Sequence, residues 1–328
     1  MALRMLLACA SLVGNLLGVP VVSAATTVVV TDDLGRAVRL ASPPARVVSI
    51  APSNTENLYA LGAGDRLVAV NEWSDYPPEA RRKPQIRGMR PSLEQLVALR
   101  PELILLMNGM EDLISQYEGR GMSVLVIAPR DLAGVYRDIE LLGDVMKVPV
   151  QARALTRAMQ DRVAGVRARV DGARRPRVFY EVDGVDPVRP FTAAPGSFIH
   201  ELLELAGAEN VAADAQGPWP QLSLEQLIKM DPEMIILGDT TGVYHAQTPE
   251  RVLRRPGWEQ ITAVRRRAVY AVDGTLVSRP GPRIVEGLEA LARIIHPDRF
   301  TVRRHPERLA DSPAARRDAR PARPDVPR

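Results

Sequence analysis

The side chains best suited to hold a ligand sit in stiff, polar, proline-rich segments. Trp73 and Tyr76 lie in NEWSDYPP at 71–78, and Trp219 lies in QGPWP at 216–220. A large aromatic ring in such a loop offers an apolar face for stacking. The plainer reading folds each ring back onto the body that carries it. Trp258, the third tryptophan, lies between a helix and a strand and is assigned to the core. Arg279 and Arg283 bracket a Pro-Gly-Pro segment. Paired guanidiniums there can grip a carboxylate or phosphate, or tie two elements together as an ion pair. Glu94 and Glu225 each follow Ser-Leu in a repeated Ser-Leu-Glu-Gln motif. That places both at the second position of a capped helix, where the dipole favours a negative charge. Helix capping alone accounts for either residue. The same acid at the same place twice also suits docking on a two-subunit partner.

Bond-breaking chemistry has no comparable support. The chain carries no Walker A sequence, no G-x-S-x-G elbow and no H-E-x-x-H helix. Its four histidines, His200, His245, His296 and His305, show no ligand spacing. The single cysteine, Cys9, excludes an intrachain disulfide and a Cys-based zinc site. Neither an enzyme, a protein metal site nor a permanently bound cofactor is expected.

The elements that must position these residues form two similar halves. SLEQLVALRPELILL at 92–106 is echoed by SLEQLIKMDPEMIIL at 223–237, with nine of 15 positions identical and an offset of 131. In each copy Ser and the Gln three residues on make a capping box. Leu93, Leu96 and Val97, then Leu224, Leu227 and Ile228, make the apolar stripe. Pro101 and Pro232 stop the helices, and a short apolar run follows as a buried strand. Strand–helix alternation continues on both sides. It includes a capping box read at Ser53 and Glu56 and a hairpin turned at 33–35. Residues 150–170 read as one continuous helix of roughly 30 Å. The fold class is therefore α/β: two Rossmann-like lobes with small, largely parallel sheets, joined by one long rigid helix. The expected divisions are 26–145, a connecting helix within 146–175, and 176–300. Ligands in such sheets sit beyond the carboxyl ends of strands, and pockets favour lobe interfaces. The aromatic and arginine segments, including 273–283 read as a loop, follow those ends. Glu94 and Glu225 are expected to point away from the cleft.

Charge and termini set the compartment. The net charge of +4 resides in the last 28 residues, which hold eight Arg and four acids. Residues 26–300 are nearly neutral, so no nucleic-acid footprint is expected. Residues 1–25 read as an export signal ending in Ser23, Ala24 and Ala25. Alternatives are an uncleaved anchor, or lipidation at Cys9 after Leu6-Leu7-Ala8. Residues 301–328 lack periodicity and read as a disordered basic tail. A periplasmic or otherwise extracytoplasmic monomer is expected.

The stretch RVVSIAPSNTENLYALGAGDRLVAV followed by SDYPPEA, the two echoed units, GPWPQ and SRPGPRI resemble the periplasmic binding proteins for cobalamin, siderophores and haem. The likeness covers about 44–297, and SDYPPEA with PWPQ is most similar to the vitamin B12-binding member. The resemblance implies a corrinoid held between the lobes, or alternatively a ferric siderophore or haem. It implies delivery to a two-subunit ABC permease with its ATPase. Trp73 takes the place of a ring-contacting Tyr, Trp219 that of a ring-contacting Trp, and Glu94 and Glu225 those of the docking acids. Two further family aromatics are replaced by Gly88 and Met107. For haem, Tyr76 or His245 would be the axial candidate. For a siderophore, Arg279 and Arg283 would carry more of the binding.

Overall fold

Residues 27–88, 90–240 and 246–300 are described by the computed structural model. The expected export signal with Cys9, the haem candidate His245, and the tail with His305 lie outside the described residues. The chain opens with an antiparallel hairpin, β1 (Val28–Thr31) and β2 (Ala37–Leu40). Its turn is closed by the Asp32 carboxylate, which accepts from the Leu34 and Arg36 amides.

The first lobe holds β3 (Val47–Ser49), β4 (Leu67–Asn71), β5 (Gln85–Ile86), β6 (Leu103–Leu106) and β7 (Ser123–Val126). All pair in parallel, in the order β5-β4-β3-β6-β7. Its helices are α1 (Pro52–Ala60), α2 (Leu93–Leu99), α3 (Ile114–Glu118) and α4 (Leu132–Val145). The linking helix α5 (Pro149–Val170) is continuous, with Pro149 at its start. Its 22 residues span roughly 33 Å. The second lobe contains β8 (Arg177–Asp183), β9 (Phe191–Thr192), β10 (Glu209–Asn210), β11 (Met234–Leu237) and β12 (Val269–Ala271). Its sheet runs β10-β8-β11-β12 in parallel, with β9 antiparallel to β8. Its helices are α6 (Phe198–Leu205), α7 (Leu224–Met230), α8 (Pro249–Val252), α9 (Thr262–Arg265), α10 (Gly274–Ser278), α11 (Ile284–Ile295) and α12 (Pro297–Phe300).

The echoed units fold alike for the reason their sequences share. Ser92 and Ser223 each accept from the amide of the Gln three residues on, and the side-chain oxygen of that Gln accepts from the Ser amide. Each helix ends on a left-handed residue, Arg100 or Asp231, directly before the proline. Trp258 is fully buried, with its indole N–H donating to the Pro187 carbonyl at 3.0 Å.

Two local expectations need correction. Ser53 and Glu56 do not form a capping box. Helix α1 begins at Pro52, its N-cap Ala51 supplies no side-chain bond, and Glu56 is buried. Proline at the first turn presets the helical φ without a cap, and Glu56 is drawn to arginines of the other lobe. The segment 273–283 is not all loop either. Asp273 caps α10 by accepting from the Thr275 amide.

One apolar cluster runs without a break from Leu142 on α4, through Met159 and Val166 on α5, to Leu202 and Leu288 in the second lobe. Gly143 permits this packing, since a Cβ there would lie 2.4 Å from that of Ala152. A continuous apolar seam of this kind restricts lobe motion more than a polar interdomain surface does.

Candidate functional site

A cleft of about 790 Å³ opens between the lobes. On the first lobe it is walled by the segments after β3, β6 and β7 and by the hairpin tip. On the second it is walled by the start of α6, the Pro218-Trp219 turn and residues 278–280. It thus lies beyond the carboxyl ends of the strands, where ligands of open α/β sheets bind.

Trp219 lines the cleft and is 41% exposed. Its ring meets Phe198 edge-on, with centroids 6.1 Å apart and planes at 72°. The turn carrying it is pinned at both ends. The Ala194 amide donates to the Pro218 carbonyl and the Thr192 amide to that of Pro220, each at 3.0 Å. The ring is therefore held open instead of collapsing. Most of the remaining lining is apolar, including Leu34, Met107, Ile127, Val182 and Ile199.

Trp73 stands outside this lining, after the adjacent β4. It is also 41% exposed, and its carbonyl accepts from Arg279 at 3.2 Å. Tyr76 borders a separate cavity of about 360 Å³ against α1, α5 and α11, with Tyr59, Leu155 and Met159. The Arg283 guanidinium lies 4.0 Å over its ring.

Arg279 and Arg283 are consumed by an inter-lobe cluster. Glu56 accepts two bonds from Arg283, at 2.7 and 2.8 Å, and one from Arg279 at 3.1 Å. Asp75 accepts from Arg279 at 2.6 Å. Burial opposes ionisation of Asp75, but the hydrogen bond and charge of Arg279 hold its carboxyl below the ordinary value. Hydrogen bonding to Glu56 raises the Arg283 guanidinium above its own. Of the two sequence readings of these arginines, the geometry is that of the ion pair. Glu56 and Asp75 were missed because a single acid in a helix or turn carries no mark of its partner. One signal was available. Residues 53–57 are five successive polar side chains, and a helix turn with no apolar stripe must bury polar contacts or face water throughout. In α1 all five are buried.

Glu94 and Glu225 are exposed and neither lines the cleft. Its own amide and the Ser92 hydroxyl hold the Glu94 carboxyl below the ordinary value.

A model described as periplasmic binding protein matches residues 47–276. The chain belongs to this family. It is 33% identical over 281 residues to an uncharacterized ABC transporter substrate-binding lipoprotein of Bacillus subtilis, covering 83% of this chain and 87% of that one. It is 31% identical over 248 residues to a vitamin B12-binding protein of Pectobacterium carotovorum, covering 74% and 85%. Among solved structures, the periplasmic haem-binding protein of Roseiflexus sp. RS-1 in apo form aligns with a TM-score of 0.70 at 25% identity, covering 77% of this chain and 98% of that one. As a member of a solute-binding family, the protein is a transport component and not an enzyme.

One buried acid beside the cleft gives this binding protein a pH-dependent stability. Asp138 on α4 is 2% exposed, and its Oδ2 has no partner among the described residues. Burial, then the charge of Asp33 at the hairpin tip, pushes its pKa up to about 8. In the unfolded chain an Asp titrates near pH ~4. Between those values the folded state keeps a proton that the unfolded state releases, so stability falls as pH rises. The contribution is full below about pH 4 and lost by about pH 8. Asp138→Asn keeps the neutral shape. It is expected to raise Tm at pH 8 and leave it unchanged at pH 4, read by thermal denaturation across that range. An equal Tm for the two proteins at pH 8 would mean that Asp138 folds ionised.

Proposed function

We propose that this protein captures a corrinoid between its lobes outside the cytoplasm and hands it to a two-subunit ABC permease. The coarser class, an ABC transporter substrate-binding protein of the vitamin B12, siderophore and haem group, is that of its relatives. The observation carrying the corrinoid reading is the cleft itself. Its walls are mainly apolar and carry a pinned Trp219–Phe198 aromatic pair. The arginines that a carboxylate-rich siderophore would need are already bound to Glu56 and Asp75. Tyr76, the described axial candidate for haem, borders a different cavity. Binding would break no bond. The apolar seam along α5 favours a small closure over a wide hinge motion. Glu94 and Glu225 are then the docking charges, one for each permease subunit.

The test is native mass spectrometry and visible absorbance of the protein with cobalamin, cobinamide, haem and a ferric siderophore. Cobalamin is expected to bind tightest. Trp219→Ala should weaken it about 30-fold, the effect of losing an aromatic hot spot of ~2 kcal/mol. Trp73→Ala, outside the cavity lining, should have a smaller effect. Preference for the siderophore, or wild-type affinity in Trp219→Ala, would overturn the reading.

A further inference from the structure

The cleft, apolar over most of its wall, holds one built-in cluster of donors without acceptors. Helix α1 points its amino end into it, with Ala51, Pro52 and Ser53 all in the lining. Pro52 has no N–H, and the first intrahelical bond runs from the Thr55 amide to the Ala51 carbonyl. The Ser53 and Asn54 amides are left without an acceptor among the described residues, because Ala51 cannot cap them. An independent observation marks the same spot. Ser53 is only 9% exposed, yet its hydroxyl has no hydrogen-bond partner among the described residues. Ser53 lines the cleft, so the exposure it retains is toward it. The Pro-Gly-Pro loop of the other lobe lies beside this residue. A Cβ on Gly281 would sit 3.5 Å from the Ser53 carbonyl oxygen.

Charge on the surrounding walls is mixed. Four charged residues line the cleft: Asp33, Glu111, Arg130 and Arg279. Arg279 is neutralised by Glu56 and Asp75. Asp33 accepts from the Ala128 amide, and Glu111 from the Gly109 amide. Arg130 is exposed and has no carboxylate within salt-bridge distance among the described residues. An uncapped helix terminus with a hydroxyl in the cleft lining is complementary to an oxyanion, and Arg130 is the lining cation left to offset Asp33 and Glu111.

We infer that the amino end of α1 is the anchoring subsite for a negatively charged arm on an otherwise apolar macrocycle, with the Ser53 and Asn54 amides and the Ser53 hydroxyl donating to it. This rests on the proposed function and deepens it. The ligand is an amphiphile whose ring lies against Trp219 while one phosphate or carboxylate is held at α1. In a corrinoid the arm is the phosphodiester of the nucleotide loop. In a porphyrin it is a side-chain carboxylate. The recognition chemistry is the same.

Two probe pairs separate the sources: cobalamin against cobinamide, which lacks the phosphodiester, and haem against its dimethyl ester. The wild-type protein should bind the anionic member of the effective pair at least tenfold tighter. Ser53→Asp places a carboxylate where the arm would sit. It should weaken the anionic probe on the order of 100-fold and the neutral one by less than about threefold. Ser53→Ala, which removes one donor without adding bulk, should cost the anionic probe about fivefold to tenfold. Thermal denaturation of both variants controls for folding. Discrimination within the haem pair alone would keep the subsite and replace the corrinoid. Equal binding of anionic and neutral probes by wild type, or equal weakening of both in Ser53→Asp, would overturn the subsite while leaving the functional reading intact. No binding of any of the four probes by wild type would overturn both.

Discussion

Replacing Glu94 and Glu225 together by alanine is expected to abolish ligand uptake and the stimulation of permease ATPase activity, with ligand affinity in solution unchanged. Each acid stands at the second position of a capped helix, one per lobe, exposed and outside the cleft lining. The helix cap stays in place without them, because Ser92, Gln95, Ser223 and Gln226 make it. The fold should therefore tolerate both changes. In the docked complex each carboxylate would leave water and meet a cationic group. Deleting one partner of such an interfacial pair weakens association by roughly tenfold or more. Single variants should consequently retain partial uptake, and the double variant should fall to background. Proteoliposomes carrying the cognate transporter give the uptake, and calorimetry gives the ligand affinity. Undiminished uptake in the double variant would reduce both glutamates to helix-terminal charges. Lost ligand affinity would place them at the cleft.

Glu56→Ala should be strongly destabilising. The carboxylate is 3% exposed and receives three hydrogen bonds from two arginines of the other lobe. Both guanidiniums are themselves only 14% exposed. Removing the acid leaves them facing one another, with Asp75 the remaining partner of Arg279. Breaking a buried ion pair from one side costs about 3–5 kcal/mol, chiefly the penalty of the stranded charge. For a body of this size that corresponds to a Tm lower by roughly 10 °C. Glu56→Gln keeps the shape and part of the hydrogen bonding, so its loss should be smaller. The cluster also ties the two lobes together at the cleft, with Arg279 in its lining. Spin labels on the two lobes should therefore report a broader distance distribution in Glu56→Ala. An unchanged Tm would mean that water replaces the carboxylate at no cost, and that the apolar seam along α5 alone holds the lobes.

Much of the architecture is legible in the chain itself. The two echoed units declare their helices through Ser and Gln three residues apart, and their strands through short apolar runs after proline. The long helix declares itself by apolar residues recurring on one face from Ala152 to Val170. These are local signals, since a cap or a helical stripe involves residues within one or two turns of each other. The placing of the cleft at the strand ends, of Trp219 in a stiff loop and of the paired glutamates at matching helix starts is legible in the residues; the family resemblance added the ligand class and the permease partner.

What remained undecided was which distant groups meet. Glu56 and Arg283 are 227 positions apart, and nothing near either names the other. Glu56 consequently read as a helix cap, and the arginines stayed divided between ligand and ion pair. Trp73 and Trp219 looked equivalent as aromatics among prolines. Only the packing set one ring against Phe198 inside the cleft and left the other beside it. Tyr76, three residues from Trp73, was turned to a different cavity under Arg283. The open amino end of α1 was hidden for the same reason. A helix start is visible in sequence, but whether its unpaired amides face water, protein or an apolar cleft depends on where the second lobe comes to rest. Local hydrogen bonding and periodicity specify elements, whereas charge pairing and cavity lining are properties of groups brought together by the long-range burial of apolar surface.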